Sequence, residues 1–313
     1  MSALAIGICT YKRPEGLARV LDAISHQRLV KLAERDVFVL VIDNCPEGSA
    51  KSFVDDIAAG SRFKIDYQHE PRKGLSFARN AVLETAHNIG AQTLAFIDDD
   101  EMPEPDWIEA LSQRMTETEA AVAIGPAYPM FSCTPGKRLP LAAYATRTQV
   151  VGGYAAEGYT CNALLDLNVI KALGLTFDSS LNDVGGEDTM FFKAILDAGH
   201  RIAWAENAIV HDLVPPQRMT ALWLWRRWYR TGSIEARLGA HSPASLKGRM
   251  VNLGKGCARL GAGSGRILAS AVVSGWRRPS RTVASFYTAC RGAGLIANVV
   301  GRDYKEYAQT NYR

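Results

Sequence analysis

The stretch Thr93-Leu94-Ala95-Phe96-Ile97-Asp98-Asp99-Asp100-Glu101 changes character halfway, where an apolar run stops at four consecutive carboxylates. The apolar part is too short for a stable helix and reads as a buried β-strand. Four like charges at the end of such a strand repel one another and lose hydration unless a cation sits among them. A divalent ion with oxygen ligands is one physical reason to build the cluster. The other is a solvated acidic turn leading into a helix at Pro105-Asp106-Trp107, where acids favour the N-terminus. Spacing alone leaves both readings open.

The same alternation extends to both sides of this stretch. Segments 4–9, 37–42, 63–68, 93–97 and 120–125 read as strands, and 15–26, 49–59, 75–88 and 106–116 carry helical apolar spacing. A repeated β-α series predicts an α/β fold with a mostly parallel central sheet flanked by helices. In such sheets ligands bind beyond the C-terminal strand ends. Three strands end in polar residues: Thr10-Tyr11-Lys12-Arg13-Pro14, Asp43-Asn44 and the acidic run. These ends are expected on one rim. The basic segment Arg72-Lys73-Gly74, running into Arg79-Asn80, opens a helix beside them, a suitable place for a phosphate.

From Pro126 to Tyr159 the rhythm weakens into a Pro, Gly and aromatic stretch, expected to form loops over the site. A second unit follows, with a strand at 162–167, a short helix at 169–173 and the turn Asn182-Asp183-Val184-Gly185-Gly186. Next come a helix opening at Glu187-Asp188 and a closing strand at 202–210 that ends in His211-Asp212. Glu187-Asp188 reads either as an acidic helix start or as a general base, and His211 as a structural strand-end residue or a metal ligand.

The chain has 313 residues, 47% of them hydrophobic and 22% charged, which suits a folded globular protein and excludes a disordered one. Its net charge of +4 hides an asymmetry. Up to Asp212 there are 29 acidic against 19 basic residues, and from Leu213 there are 17 basic against 3 acidic. The basic portion is expected to meet something anionic. Six scattered cysteines form no CxxC pair or metal-spaced cluster, as expected for reduced cytoplasmic thiols. No export signal is read at the N-terminus, and Arg or Lys interrupts every apolar window before the roughly 20 residues of a spanning helix.

Taken together, Thr10-Tyr11-Lys12-Arg13, Asp43-Asn44, Arg79-Asn80, Asp98-Asp99-Asp100-Glu101 with Pro105-Asp106-Trp107, and Gly186-Glu187-Asp188 resemble, in order, the inverting family 2 glycosyltransferases of the GT-A fold. The resemblance spans residues 1–212 and implies a UDP-sugar-binding catalytic domain there. It implies that Thr10, Tyr11, Arg13, Asp43 and Arg79 line the nucleotide pocket, with Asp43 the uracil partner, and that Asp98 and Asp99 lie on the nucleotide. It further implies that Asp100, with His211 nearby, holds Mn2+ or Mg2+, that Asp188 is the catalytic base, and that Glu187 contacts the acceptor. The expected reaction is one displacement that inverts the anomeric carbon.

Residues 213–313 are expected to form a basic, aromatic-rich helical extension that associates with membranes. Trp223-Leu224-Trp225-Arg226-Arg227-Trp228-Tyr229-Arg230 mixes Trp and Tyr with Arg at helical spacing, a surface suited to lipid headgroups. Segments 246–260, 267–278 and 282–300 look interfacial as well. An ordinary helical domain with an aromatic core is the other reading, and no nucleic-acid recognition motif accompanies the charge. Arg227-Trp228 invites comparison with the Gln-x-x-Arg-Trp motif of processive synthases, but Leu224 stands where Gln is needed. The expectation is therefore a non-processive hexosyltransferase, resembling bacterial exopolysaccharide glucosyltransferases of the succinoglycan type. It would act on a lipid-linked (polyprenyl diphosphate) saccharide as a peripheral protein on the inner face of the cell membrane. A sugar-phosphate nucleotidyltransferase would need a Gly-rich N-terminal loop, and no glycine follows Gly7 until Gly16. A non-catalytic membrane scaffold would need a lost base or metal site.

Overall fold

The computed structural model describes residues 3–136, 139–144, 148–238, 245–274 and 279–302. Residues 137–138 and 145–147 of the expected loops, and Arg277, Arg278 and 303–313 of the extension, lie outside the described residues. The strands are Leu4–Thr10 (β1), Val37–Asp43 (β2), Lys64–His69 (β3), Thr93–Asp98 (β4), Glu101–Pro103 (β5), Val122–Ile124 (β6), Ala127–Phe131 (β7), Val150–Val151 (β8), Tyr154–Ala155 (β9), Asn162–Asp166 (β10), Ile202–Trp204 (β11) and Val210–Val214 (β12). The α-helices are Pro14–Ser25 (α1), Lys51–Ala58 (α2), Leu75–Asn88 (α3), Trp107–Thr118 (α4), Leu167–Ala172 (α5), Glu187–Asp197 (α6), Ala221–Leu238 (α7), Leu246–Ser274 (α8) and Pro279–Val299 (α9).

A nine-stranded sheet runs in the order β3-β2-β1-β4-β10-β6-β11-β9-β8. Its first four strands are parallel, and β10 enters antiparallel between β4 and β6. Strands β1, β2 and β4 are near-continuous apolar runs because both their faces are covered. On one face Ile6 and Ile8 pack with Leu17 of α1, Val54 of α2 and Trp107 of α4. On the other, Leu40 and Ile42 pack with Val82 of α3 and Phe191 of α6. Each such fully buried side chain contributes about 1.5–3 kcal/mol. The Trp107 indole N–H donates to Asn162 Oδ1 at 2.8 Å, and the Asn162 amide donates in turn to the carbonyls of Pro126 and Ala208. This buried network ties α4, β10 and the chain before β12 together.

The closing strand expected at 202–210 is two strands. β11 ends at Trp204 in the large sheet, the chain turns at Glu206-Asn207, and β12 begins a second sheet of order β5-β12-β7. The expected strand 120–125 shortens to β6, and the expected loop segment supplies β7, β8 and β9.

α7 leads the C-terminal helices back over the second sheet. Leu224 and Trp228 pack with Val214 and Tyr144, and Trp223 stacks on Tyr144 with ring centroids 5.6 Å apart. Much of the Trp and Arg face assigned to lipid by its pattern thus covers protein, while Leu222 and Trp225 stay exposed. α9 packs against both α7 and α8. The α7–α9 crossing is so close that a Cβ on Gly294 would stand 2.0 Å from the Tyr229 carbonyl oxygen.

Candidate active site

Sheet register gathers the polar strand ends. Thr10 pairs with Asp43, Cys9 with Asp98, and Asp43 with His69, so the ends of β1, β2, β3 and β4 form one edge. The acidic run then divides by role. The Asp99 carboxylate turns toward β1, accepting from Thr10 Oγ1 at 2.9 Å and Arg13 Nη1 at 2.8 Å. Burial pushes it up to about 6, with Arg13 opposing. Glu101 is buried, accepts from the Asp98 backbone N–H at 3.0 Å and is raised well above the usual carboxylate range by burial and then by Asp98. Asp98 and Asp100 remain facing the crevice. Asp100 Oδ2 accepts from Arg13 Nη1 at 2.9 Å and lies 3.4 Å from Arg218 Nη1.

Gly16, in the first turn of α1, lets this acidic turn come near. A Cβ there would stand 2.4 Å from the Asp99 carbonyl oxygen. β12 holds the turn from the other side, through the Leu213 N–H bonded to the Asp100 carbonyl at 3.0 Å.

Arg79 crosses the crevice from α3. Its Nη1 donates to Glu187 Oε1 at 2.5 Å and its Nη2 lies 3.8 Å from Asp98 Oδ1, while its guanidinium sits over the Phe177 ring. Burial would lower the Arg79 pKa, but Glu187, Asp98 and Asp188 outweigh it and hold the charge in place. Burial raises Glu187, with Arg79 opposing and Asp188 adding to the rise. The helix carrying Arg79 starts at Gly74, whose N–H bonds Asn44 Oδ1 at 2.9 Å. The Asn44 amide also clasps the carbonyls of Glu70 and Arg72, so Asn44 shapes the basic loop. Asp188 follows Glu187 at the start of α6, and its Oδ1 accepts from the Thr189 N–H at 2.6 Å. Tyr11 lies between Lys12 and Lys73, each ammonium 5.8 Å from its ring centroid.

Two expected residues are engaged elsewhere. Asp43 is buried, and its oxygens accept from the N–H groups of Cys45 and Ala50 and from the Tyr67 hydroxyl, so it fastens the β2–α2 turn. His211 meets Glu104 Oε1 at 3.0 Å. Side chains alternate along β12, which puts Asp212 on the face opposite His211. Burial pushes Asp212 up to about 6, with Asp100 adding to the rise and Arg218 and Arg227 opposing it. Asp212 and Arg218 are therefore site residues that motif reading passed over, and Arg227, which it weighed only against a synthase motif, joins them. The alternation of β12 carried the signal for Asp212; nothing in the spacing announced that the two arginines fold back.

Among the described residues no three His, Cys, Asp or Glu side chains converge in metal-holding geometry. The donor chemistry of Asp98, Asp100 and Asp212 nonetheless fits a hard cation, since all are carboxylates beside a space lined by Arg13, Arg79 and Arg218 where phosphates could complete a shell.

A model of Glycosyl transferase family 2 matches residues 5–174. The succinoglycan biosynthesis protein ExoM of Rhizobium meliloti (strain 1021) is 36% identical over 243 residues, covering 77% of each chain. Among solved structures, the mannosyltransferase PcManGT from Pyrobaculum calidifontis, in complex with GDP-Man and Mn2+, superposes with a TM-score of 0.65 at 16% identity. That match covers 96% of this chain and 88% of the other. S. aureus TarS 1–349 in complex with UDP gives a TM-score of 0.53 at 13% identity over 99% and 93%. This chain spans 54% of a longer TarS chain. These structural likenesses establish the GT-A fold.

Proposed function

The chain belongs to glycosyl transferase family 2, and from that premise we propose that it moves one hexose from a UDP-sugar to a hydroxyl of a lipid-linked saccharide, inverting the anomeric carbon. The observation that carries this reading is Arg79, which spans from Asp98 on the strand-end edge to Glu187, the neighbour of Asp188. One buried cation thus couples a donor side to a base side. Asp188 takes the proton of the acceptor hydroxyl while that oxygen forms its bond to the anomeric carbon. The bond to the departing diphosphate breaks with its electron pair on the phosphate oxygen. Arg79 and Arg218 stabilise the charge that grows there. Asp100, with Asp98 and Asp212 beside it, would hold Mn2+ or Mg2+; the chemistry such a cation supplies when bound is neutralisation of the diphosphate. Glu187 holds Arg79, and Asp43 holds the turn that walls the nucleoside side.

The relationship to a succinoglycan biosynthesis protein supports a role in cell-surface polysaccharide synthesis, with UDP-glucose as the first donor to try. No helix of the described residues is long and apolar enough to cross a membrane. Action at the inner membrane face, as a peripheral protein, is part of the same proposal. UDP release from a panel of UDP-sugars with Mn2+ and polyprenyl-diphosphate saccharides tests it. Asp188→Asn is expected to lose about a hundredfold or more in kcat with UDP binding retained, and near-normal turnover would remove Asp188 from the base role.

A further inference from the structure

α8 turns the usual order of a surface helix inside out. Its buried edge is made of small residues, Gly248, Gly256 and Gly263, together with Asn252. Its outer edge carries the large ones: Leu246, Met250, Leu253, Leu260 and Leu268 are 75%, 66%, 41%, 37% and 67% exposed. With the exposed Cys257 between them, the first five side chains of this outer edge recur at steps of four and three, which makes one continuous stripe on a helix. The helix has 29 residues and is therefore about 43 Å long. The continuous stripe from Leu246 to Leu260 runs about 21 Å along it, and an exposed apolar stripe of that kind in water marks a partner.

Charge identifies which one. α8 contains five basic residues, Lys247, Arg249, Lys255, Arg259 and Arg266, and no acidic one, and α9 has no acidic residue either. Arg259 pairs with Glu235 of α7, and Arg249 donates to the Val299 carbonyl. Lys247 and Arg249, which flank the stripe at its N-terminal end, have no carboxylate partner among the described residues. Neither α8 nor α9 carries a carboxylate, so a second copy of this face would offer its cations no ion-pair partner. A bilayer with anionic headgroups offers hydrocarbon for the stripe and phosphates for the flanking cations.

We propose that α8 lies in the plane of an anionic membrane, its Leu246-Met250-Leu253-Leu260 stripe sunk below the headgroups and Lys247 and Arg249, one on either side of the stripe, among them. The catalytic domain is thereby held at the lipid surface through α9 and α7. This deepens the function proposed above and rests on it for what the docked enzyme does there, but docking itself is measurable without the reaction.

The test is co-sedimentation of the full chain with vesicles of phosphatidylcholine alone or mixed with phosphatidylglycerol. Binding is expected on the mixed vesicles and is expected to weaken as salt rises. Leu253→Glu with Leu260→Glu is expected to lower partitioning about a hundredfold. Both side chains are exposed, so circular dichroism, thermal midpoint and UDP affinity should stay put. Lys247→Glu with Arg249→Glu is expected to lower binding to the anionic vesicles about tenfold or more. An environment-sensitive fluorophore on Cys257, in a Cys133→Ser background, should shift to the blue on binding. Unchanged partitioning of the Leu variant overturns the proposal, as does a wild-type dimer that this variant dissociates with no change in vesicle binding. Loss of UDP binding by the wild type would sink the transferase reading and leave docking standing.

Discussion

Replacing Glu187 by Leu removes the nearest partner of a buried cation, and the consequence can be worked from the geometry. The side chains of Arg79 and Glu187 are 5% and 6% exposed, so neither charge can turn to water for compensation. Breaking such a pair from one side costs about 3–5 kcal/mol. Asp98, 3.8 Å from the other Arg79 nitrogen, still faces the cation and brings the expected cost to about 3 kcal/mol. Arg79→Met is expected to cost a similar amount by stranding Glu187. The double variant removes both charges and is expected to cost only about 1 kcal/mol, so the two single costs less the double give a coupling of about 5 kcal/mol. Urea unfolding followed by tryptophan fluorescence measures all three, provided the denaturant slope is unchanged. Restored stability should bring back neither UDP affinity nor turnover, because Arg79 is absent. A Glu187→Leu cost below about 1 kcal/mol, or a coupling near zero, would refute the view that this pair is one energetic unit.

Gly294→Ala drives a Cβ to 2.0 Å from the Tyr229 carbonyl oxygen and should cost about 2–3 kcal/mol, whereas Gly261→Ala meets nothing within 4 Å and should stabilise by about 0.5–1 kcal/mol. Urea midpoints moving in the same direction would contradict the crossing described for α7 and α9. Gly16→Ala pushes on the Asp99 carbonyl, and the displaced acidic turn should lower kcat/KM about a hundredfold with the fold intact by circular dichroism. Burial raises Glu235, but the hydrogen bond from Arg259 and the charge of Arg291 outweigh it and hold its pKa below 4.5. Its contribution to stability is therefore complete above the unfolded value near 4.5 and is lost as pH falls through the lower folded value. Glu235→Gln should flatten that part of the stability profile, and an unchanged acid limb would contradict the assignment.

The parallel half of the fold was legible because β1, β2 and β4 are covered on both faces, which leaves unbroken apolar runs punctuated by polar ends. The order of those ends also located the site's edge before any register was known. The division inside the acidic run was not legible, since four adjacent carboxylates look alike until Thr10 and Arg13 claim Asp99 and burial claims Glu101. The 202–210 run concealed a change of sheet because only Glu206-Asn207 marks the turn. α7 showed Trp and Arg at helical spacing, a pattern equally suited to lipid or to protein; the ring of Tyr144, stacked on Trp223, and the charge of Asp212 beside Arg227 decided in favour of protein for most of that face.

The ion pair of Arg218 with Asp100, and the charge of Arg227 that opposes the rise at Asp212, also bear on how the chain comes into being. The acidic residues are concentrated in the first 212 positions, and the cations that face two of them arrive afterwards. During synthesis the sheet can assemble while Arg13 and Arg79 only partly offset the negative charge of its crevice. Completion of the crevice therefore waits on the last third of the chain, so a truncation after Val214, which keeps β12 whole, would yield a folded platform with an excess of negative charge at its mouth rather than a smaller enzyme.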